Sequence, residues 1–242
     1  SNERDQLYRY DLETGEETPL TNEPDAKHLW GGWGPDGDRF AFAANRRQGD
    51  TFDVYVQGRD EPAPKLVWEG PGGFVGVAAW HPDGDALILQ ESNSSSDQVL
   101  YWLDIDSGTT ERITDTDEEA RYHHVAFGPD GGLYAVTDYG AETAYVGRLE
   151  LSDSGGVETV ESGPEEWNVD GLQIDADSGR VAYTTNVDGY SETYLGALSD
   201  DGSEIVDTTE PELPEGVVAG VDLGPDGERA AIEFSADDHP HS

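Results

Sequence analysis

Apolar and polar residues alternate with a period of two through most of this chain, and turns built on glycine, proline and aspartate cut the alternation into short runs. That period predicts strands with two unlike faces, and nothing in it predicts a helix. One phrase returns five times: an apolar or aromatic residue, a Gly/Pro/Asp turn, then an alternating strand. It reads WGPDGDRFAFA from Trp33, WHPDGDALILQ from Trp80, FGPDGGLYAVT from Phe127, a degenerate IDADSGRVAYT from Ile174, and LGPDGERAAIE from Leu223. These anchors are 47, 47, 47 and 49 residues apart.

Each repeat predicts four strands. A first apolar stretch such as Phe74 to Trp80 runs into the Pro-Asp-Gly turn, where proline sets φ and glycine supplies a positive one. A second strand follows at once, over Arg39 to Ala44, Ala86 to Glu91, Leu133 to Asp138 and Arg180 to Asn186. A polar loop (NRRQGDT, SNSSSD, YGAE or NVDGYSE) leads to a third strand, for example Gln98 to Asp104. A second turn (DLETGEE, DIDSGTTE, SDSGG, SDDGS) precedes a short fourth strand that ends, in one repeat, at Thr114. Short strands with regular turns argue for an all-β sandwich, barrel or propeller, and a fixed period of ~40–50 residues selects a β-propeller of four-stranded blades. Small residues precede the anchors at Gly32, Ala79 and Ala126, where sheets are expected to converge, so the anchors themselves read as packing between blades.

The repeats fall near 26–69, 73–115, 119–162 and 166–209. The chain opens with a third and a fourth strand, within 4–22, and closes with a first and a second, within 217–235. Pairing of these halves would complete a fifth blade, close the ring and leave no open sheet edge. One propeller domain over 1–235 is therefore expected, followed by a polar tail over 236–242.

Charge adds an environment. Lys and Arg number 13 against 53 Asp and Glu, a net charge of −40, and Lys27 and Lys65 are the only lysines. Self-repulsion of this size opposes a compact state in dilute buffer, whereas in ~1 M salt the Debye length falls to about 3 Å. The acids are spread through every turn and loop, as in a solvated surface. The balance points to the cytoplasm of an extreme halophile, with high monovalent salt needed for stability and no cofactor; a secreted protein whose signal has been removed is the second reading. A protein binding several calcium ions and a sink for basic partners are rival readings of the acids. The charge argues against nucleic acid as a partner. The chain has no cysteine, hence no disulfide or thiolate chemistry, and no apolar run near the ~20 residues of a membrane span.

The phrase "aromatic, x, Pro-Asp-Gly, strand", followed by Tyr-x-x-Asp-x-x-x-Gly-x-x-x-x-x-Thr, resembles the repeats of TolB-type propellers and the propeller domains of prolyl-oligopeptidase-like serine peptidases, acylaminoacyl peptidases among them. Trp33 to Phe42, Tyr8 to Thr21, Trp80 to Leu89 and Tyr101 to Thr114 carry the likeness, and KHLWGGWGPDGDRFAFAANRR and EEWNVDG are similar to the peptidase branch of halophilic archaea. The resemblance implies a noncatalytic propeller that covers an α/β-hydrolase domain and limits entry to small peptides. Two departures stand against it. Such propellers usually have seven or eight blades, and no G-x-S-x-G elbow occurs here; Gly189-Tyr-Ser-Glu-Thr lacks the second glycine. No peptidase activity is expected of the chain. A stand-alone TolB-like scaffold for proteins or peptides is the alternative, and a propeller lactonase or glycosidase would need clustered metal ligands or paired acids.

Candidate chemistry is sparse. His123 and His124 are neighbours on a predicted strand, so they should face opposite sides and not share an ion. His239 and His241 form an H-x-H pair in the tail. Asp104/Asp106 and Asp175/Asp177 look like calcium loops but lack the spacing and terminal Glu of an EF-hand and fall where turns are required, so no metal is predicted. The candidates for binding a carboxylate or a partner are Arg46 and Arg47 in the loop after a second strand, Arg121 and Tyr122 at the start of a first strand, and Trp30, Trp167 and Asn168 at the entrances of others. Local neutralisation of acids by these arginines is the competing reading. If the charge reflects a salt-rich environment, the β-type circular dichroism signal will melt cooperatively in ~2 M KCl and be largely lost in dilute buffer. Unchanged folding after dialysis would refute it.

Overall fold

A computed structural model describes residues 4–114, 118–151, 156–164, 167–224 and 227–236. The H-x-H pair and most of the tail, the SDSG of the third repeat and Pro225 and Asp226 of the fifth turn lie outside them. Among the described residues there are twenty strands and no helix. A hairpin of β1 (Tyr8–Tyr10) and β2 (Glu17–Pro19) precedes four antiparallel sheets whose strands follow one another in chain order. These are β3 (His28–Trp33), β4 (Arg39–Gln48), β5 (Thr51–Gly58) and β6 (Lys65–Trp68); β7 (Phe74–Trp80), β8 (Ala86–Ser92), β9 (Gln98–Asp104) and β10 (Thr110–Arg112); β11 (Tyr122–Phe127), β12 (Leu133–Thr137), β13 (Tyr145–Leu149) and β14 (Val157–Ser162); and β15 (Val169–Ile174), β16 (Arg180–Val187), β17 (Tyr190–Leu198) and β18 (Ile205–Thr209). A last hairpin joins β19 (Val217–Leu223) to β20 (Ala230–Ser235). Each of these two hairpins is a two-stranded sheet.

The chain divides into two compact units, 1–95 with 99–112 and 96–98 with 113–242. In the first, β4 shows why the second strands read as nearly continuous apolar runs. Ala41 and Ala43 belong to a cluster with Val54, Val75, Leu87, Leu89 and Leu103, whereas Phe40, Phe42 and Ala44 belong to another that Leu7 and Leu20 cover. Small side chains face one neighbour and rings the other, so both faces are filled. In the second unit Tyr134, Val136 and Val146 pack with Val169, Leu172, Val181 and Tyr183 in one continuous core.

Turn chemistry is reused at different places. Asp11, Asp104 and Asp175 each begin Asp-x-x-Ser/Thr-Gly, and their Oδ1 atoms accept from the backbone N–H three residues on at 2.7, 2.8 and 2.7 Å. The glycines that follow, Gly15, Gly108 and Gly179, have φ of 72, 70 and 68°, a conformation that suits glycine. The carboxylates at Asp104 and Asp175 thus close hairpins, as their positions suggested. Hydrogen bonds from the Ser107 hydroxyl and backbone hold the Asp104 carboxyl below its usual range.

Strands run into residues expected to form loops, and in the fourth repeat β16 reaches Val187 and β17 begins at Tyr190, both within NVDGYSE. The second strand of the first repeat continues beyond Ala44 to Gln48, through residues expected to form a loop, and Gln48 still pairs with Thr51. Side chains explain the extension. The Arg46 guanidinium lies 5.0 Å from the ring centres of both Phe42 and Tyr55, and Arg47 reaches across the hairpin to Asp53.

Sheets approach most closely at the first strands. A Cβ on Gly31 would lie 2.6 Å from Val77 Cβ and 2.9 Å from the Ala41 carbonyl. Beside it the Trp80 indole donates to the Gly32 carbonyl at 3.1 Å, so this anchor binds the preceding sheet. Gly31→Ala is therefore expected to destabilise by about 1–3 kcal/mol, as overpacking does. Urea unfolding in molar KCl checks this, with Gly49→Ala, where a Cβ meets open space, as the control.

Candidate functional site

The residues singled out from the sequence fall in both units, three in the first and four in the second. In the first unit, Arg46 donates through Nε to His28 Nε2 at 3.1 Å and lies 3.4 Å from Glu23. Its side chain, between two rings, is only 12% exposed. Arg47 grips Asp53 with both arms, at 3.1 and 2.8 Å, and also donates to the Gly70 carbonyl at 2.8 Å. Asp53 is fully buried and accepts the Gly70 N–H at 2.9 Å, so this pair closes the hairpin on its own neutralised charge. Trp30 is exposed, with its ring stacked on Phe40 at 5.6 Å and edge-on to Trp33.

In the second unit Arg121 donates through Nε to Asp138 Oδ2 at 2.8 Å, and its backbone N–H donates to Oδ1 at 2.7 Å. Tyr122 is 1% exposed and belongs to the interior. The Asn168 amide oxygen accepts the Ala144 N–H at 2.7 Å, tying the start of β15 to the segment before β13. Trp167 is half-buried and donates its backbone N–H to the Pro164 carbonyl. Each arginine is matched by a carboxylate or a ring within its own sheet or a neighbouring loop. Among the described residues no group of three or more His, Asp and Glu side chains is arranged to hold a metal ion.

The histidine pair requires a correction. Neighbours on a regular strand face opposite sides, but the β11 ladder slips between His123 and Ala126, and His124 has φ of 51°. The bulge breaks the alternation, and both residues are exposed and border one cavity of about 110 Å³ with Arg121, Asn168 and Asp170. A comparable slip between Val169 and Gly171 in β15 turns Asp170 out of register. His124 and Asp170 also border a second cavity, of about 340 Å³, whose walls come from β15, β16 and β19.

Electrostatics at this junction favour neutral imidazoles. Burial lowers the pKa of His124, His123 beside it lowers it further, and a hydrogen bond to the Asp170 backbone opposes both. For His123 burial again leads, followed by the Arg121 charge. Burial raises the Asp170 carboxyl, against the pull of His124 and Arg121. Asp170 was not singled out from the sequence, although Asp-Gly inside the strand pattern VDGLQI is a signal for a bulge.

No protein family and no curated protein matches the chain by sequence. Solved structures do. A prolyl endopeptidase, studied for the role of inter-domain dynamics in catalysis and specificity, matches 97% of this chain with 35% of its own at a TM-score of 0.73 and 17% identity. The chain thus spans about a third of that enzyme's length. A putative TolB from Agrobacterium tumefaciens matches 96% of this chain with 83% of its own, at a TM-score of 0.66 and 18% identity. Prolyl oligopeptidase B from Galerina marginata matches 93% with 32%, at 0.67 and 13%. The fold is a TolB-like β-propeller.

His28 supplies a pH test of these environments. Its Nδ1 lies 3.0 Å from the Asp5 carbonyl while Nε2 accepts from Arg46, so the ring is the neutral Nδ1–H tautomer. Burial lowers its pKa from 6.5, as it does for His123 and His124. A depressed histidine pKa contributes stability above the unfolded value that is lost as pH falls through the folded one. Stability is expected to decline below about pH 6.5, and His28→Gln to flatten that decline. Urea midpoints between neutral and mildly acidic pH check this; His28 titrating at an ordinary value in NMR spectra would contradict it.

Proposed function

We propose that this chain is a noncatalytic propeller module that filters peptide access to a serine-peptidase domain of the prolyl-oligopeptidase type, in the salt-rich cytoplasm of an extreme halophile. The observation that carries the reading is the match of nearly the whole chain to about a third of a prolyl endopeptidase. The sequence given contains no G-x-S-x-G elbow, which supports a noncatalytic role for it. The mechanism is steric: a central channel between blades admits extended peptides and rejects folded ones, while one face of the ring docks on the hydrolase. High monovalent salt screens the acids, and no cofactor takes part.

A stand-alone peptide- or protein-binding scaffold is the second reading, favoured by the larger share, 83%, of the Agrobacterium protein that the chain matches. The gene on both sides of this segment separates the two. The gating reading expects the frame to run into a G-x-S-x-G elbow with downstream Asp and His, and the full-length protein, in molar KCl, to cleave short peptides while sparing the same sequence inside a folded protein. A frame with no hydrolase domain, or equal cleavage of both substrates, would overturn gating.

A further inference from the structure

All five first strands are bulged within a few residues of their anchors, yet the residues at the bulges differ. The slip encloses Gly31 and Gly32 in β3, Ala78 in β7 and Ala219 in β19, all small. In β11 it encloses His124 and Val125, and in the adjacent sheet, at β15, Asp170. Small residues suit strands that approach closely. The imidazole of His124, at φ of 51° in a region that histidine enters more readily than most residues, thus stands where three other first strands place glycine or alanine.

The two polar bulges meet where two cavities meet. His124 and Asp170 border both the cavity of about 110 Å³ and that of about 340 Å³. The larger falls within the ~300–1,000 Å³ range of small-ligand sites. Its walls pair apolar Leu172, Val217 and Val221 with the Thr184 hydroxyl. Arg121 is engaged by Asp138 at 2.8 Å, and among the described residues Asp170 forms no ion pair, so its carboxylate is available to a cation. His124 lines both cavities beside Asp170, and a neutral imidazole offers one ring nitrogen as an acceptor.

We propose that His124 and Asp170 recognise a primary ammonium group carried by a short extended peptide whose body lies in the cavity between β15, β16 and β19. The proposal rests on the reading that peptides are the ligands of this propeller. An ammonium offers three donors and no acceptor, which suits a cavity lined by a carboxylate, an imidazole and a hydroxyl. Contact chemistry is required here because in ~1 M salt the protein's negative field reaches only about 3 Å. A cation is then selected by what it touches and hardly at all by net charge.

Isothermal titration of the chain with trialanine in molar KCl tests the site. Trialanine is expected to bind roughly tenfold more tightly than N-acetyl-trialanine, the scale of one charged hydrogen-bonded contact. An N-acetylated peptide containing lysine separates the two sources of ammonium: recovered affinity assigns the site to a side chain, and continued weak binding to the amino terminus. Asp170→Asn and His124→Gly should each lose about tenfold, while Asp177→Asn, a surface charge control, should not. Glycine suits this positive φ, so the thermal midpoint of that variant should hold or rise as affinity falls. Equal affinity for acetylated and free peptides, or undiminished binding by both folded variants, overturns the ammonium site and leaves gating untouched. Failure to bind any peptide counts against the peptide reading as well.

Discussion

Second strands covered on both faces are the constraint from which most of this structure follows. Phe40 to Ala44, Ala86 to Leu89 and Leu133 to Thr137 are buried at every position, so each of these strands must be apolar toward two different neighbours. Polar chemistry is thereby driven to turns, outer strands and irregularities in the first strands. In β4 the division of volume is plain, with alanines on one side and phenylalanines on the other. The repeat sets the positions of these residues, and the turns between them need only bring the next run into register. This is why three Asp-x-x-Ser/Thr-Gly turns can occupy different places in the repeat without disturbing the sheets.

What could be read in advance reflects the same division. Strand order, Gly/Pro/Asp turns and the packing role of Trp80 were legible because each depends on local chemistry repeated about every 47 residues. The extension of β4 to Gln48 was not, because it depends on Arg46 meeting Phe42 and Tyr55 and Arg47 meeting Asp53 across the hairpin. Composition made that stretch look like a loop. The junction of His124 and Asp170 was hidden for a related reason: an alternation rule fails wherever a ladder slips, and His-His-Val-Ala contains no glycine to announce the slip. Asp170-Gly171 did contain such a signal, and taken together with the pair of histidines in the preceding repeat it would have pointed to the same place.

Bulges near the anchors relate the shared architecture to what is particular to this chain. A bulge is a cheap way to re-aim one side chain without altering the sheet around it. In three first strands it carries only hydrogen or methyl side chains, and in two it includes a group able to donate or accept protons, His124 beside Val125 in one and Asp170 in the other. Low sequence identity to the solved propellers is compatible with this arrangement. The frame tolerates exchange of apolar residues of similar volume, while individuality is concentrated in a few positions that the frame displaces.

The arginines have a consequence for how such a chain can change. Of eleven in the sequence, Arg39 reaches the Gly84 carbonyl and the Trp80 ring, Arg59 lies over Trp33, Arg148 binds Asp130 and the Asp201 carbonyl, and Arg46, Arg47 and Arg121 are held as described. Six of the eleven are thus held by carboxylates, carbonyls or rings of the chain itself. Mutational tolerance becomes lopsided. An exposed Asp or Glu that touches nothing can be exchanged at little cost, whereas no other side chain replaces the planar, ring-stacked and forked contacts of an arginine. Drift in sequences of this kind is expected to run through the acids while the few guanidinium positions stay fixed, the reverse of an ordinary surface, where basic and acidic residues turn over alike.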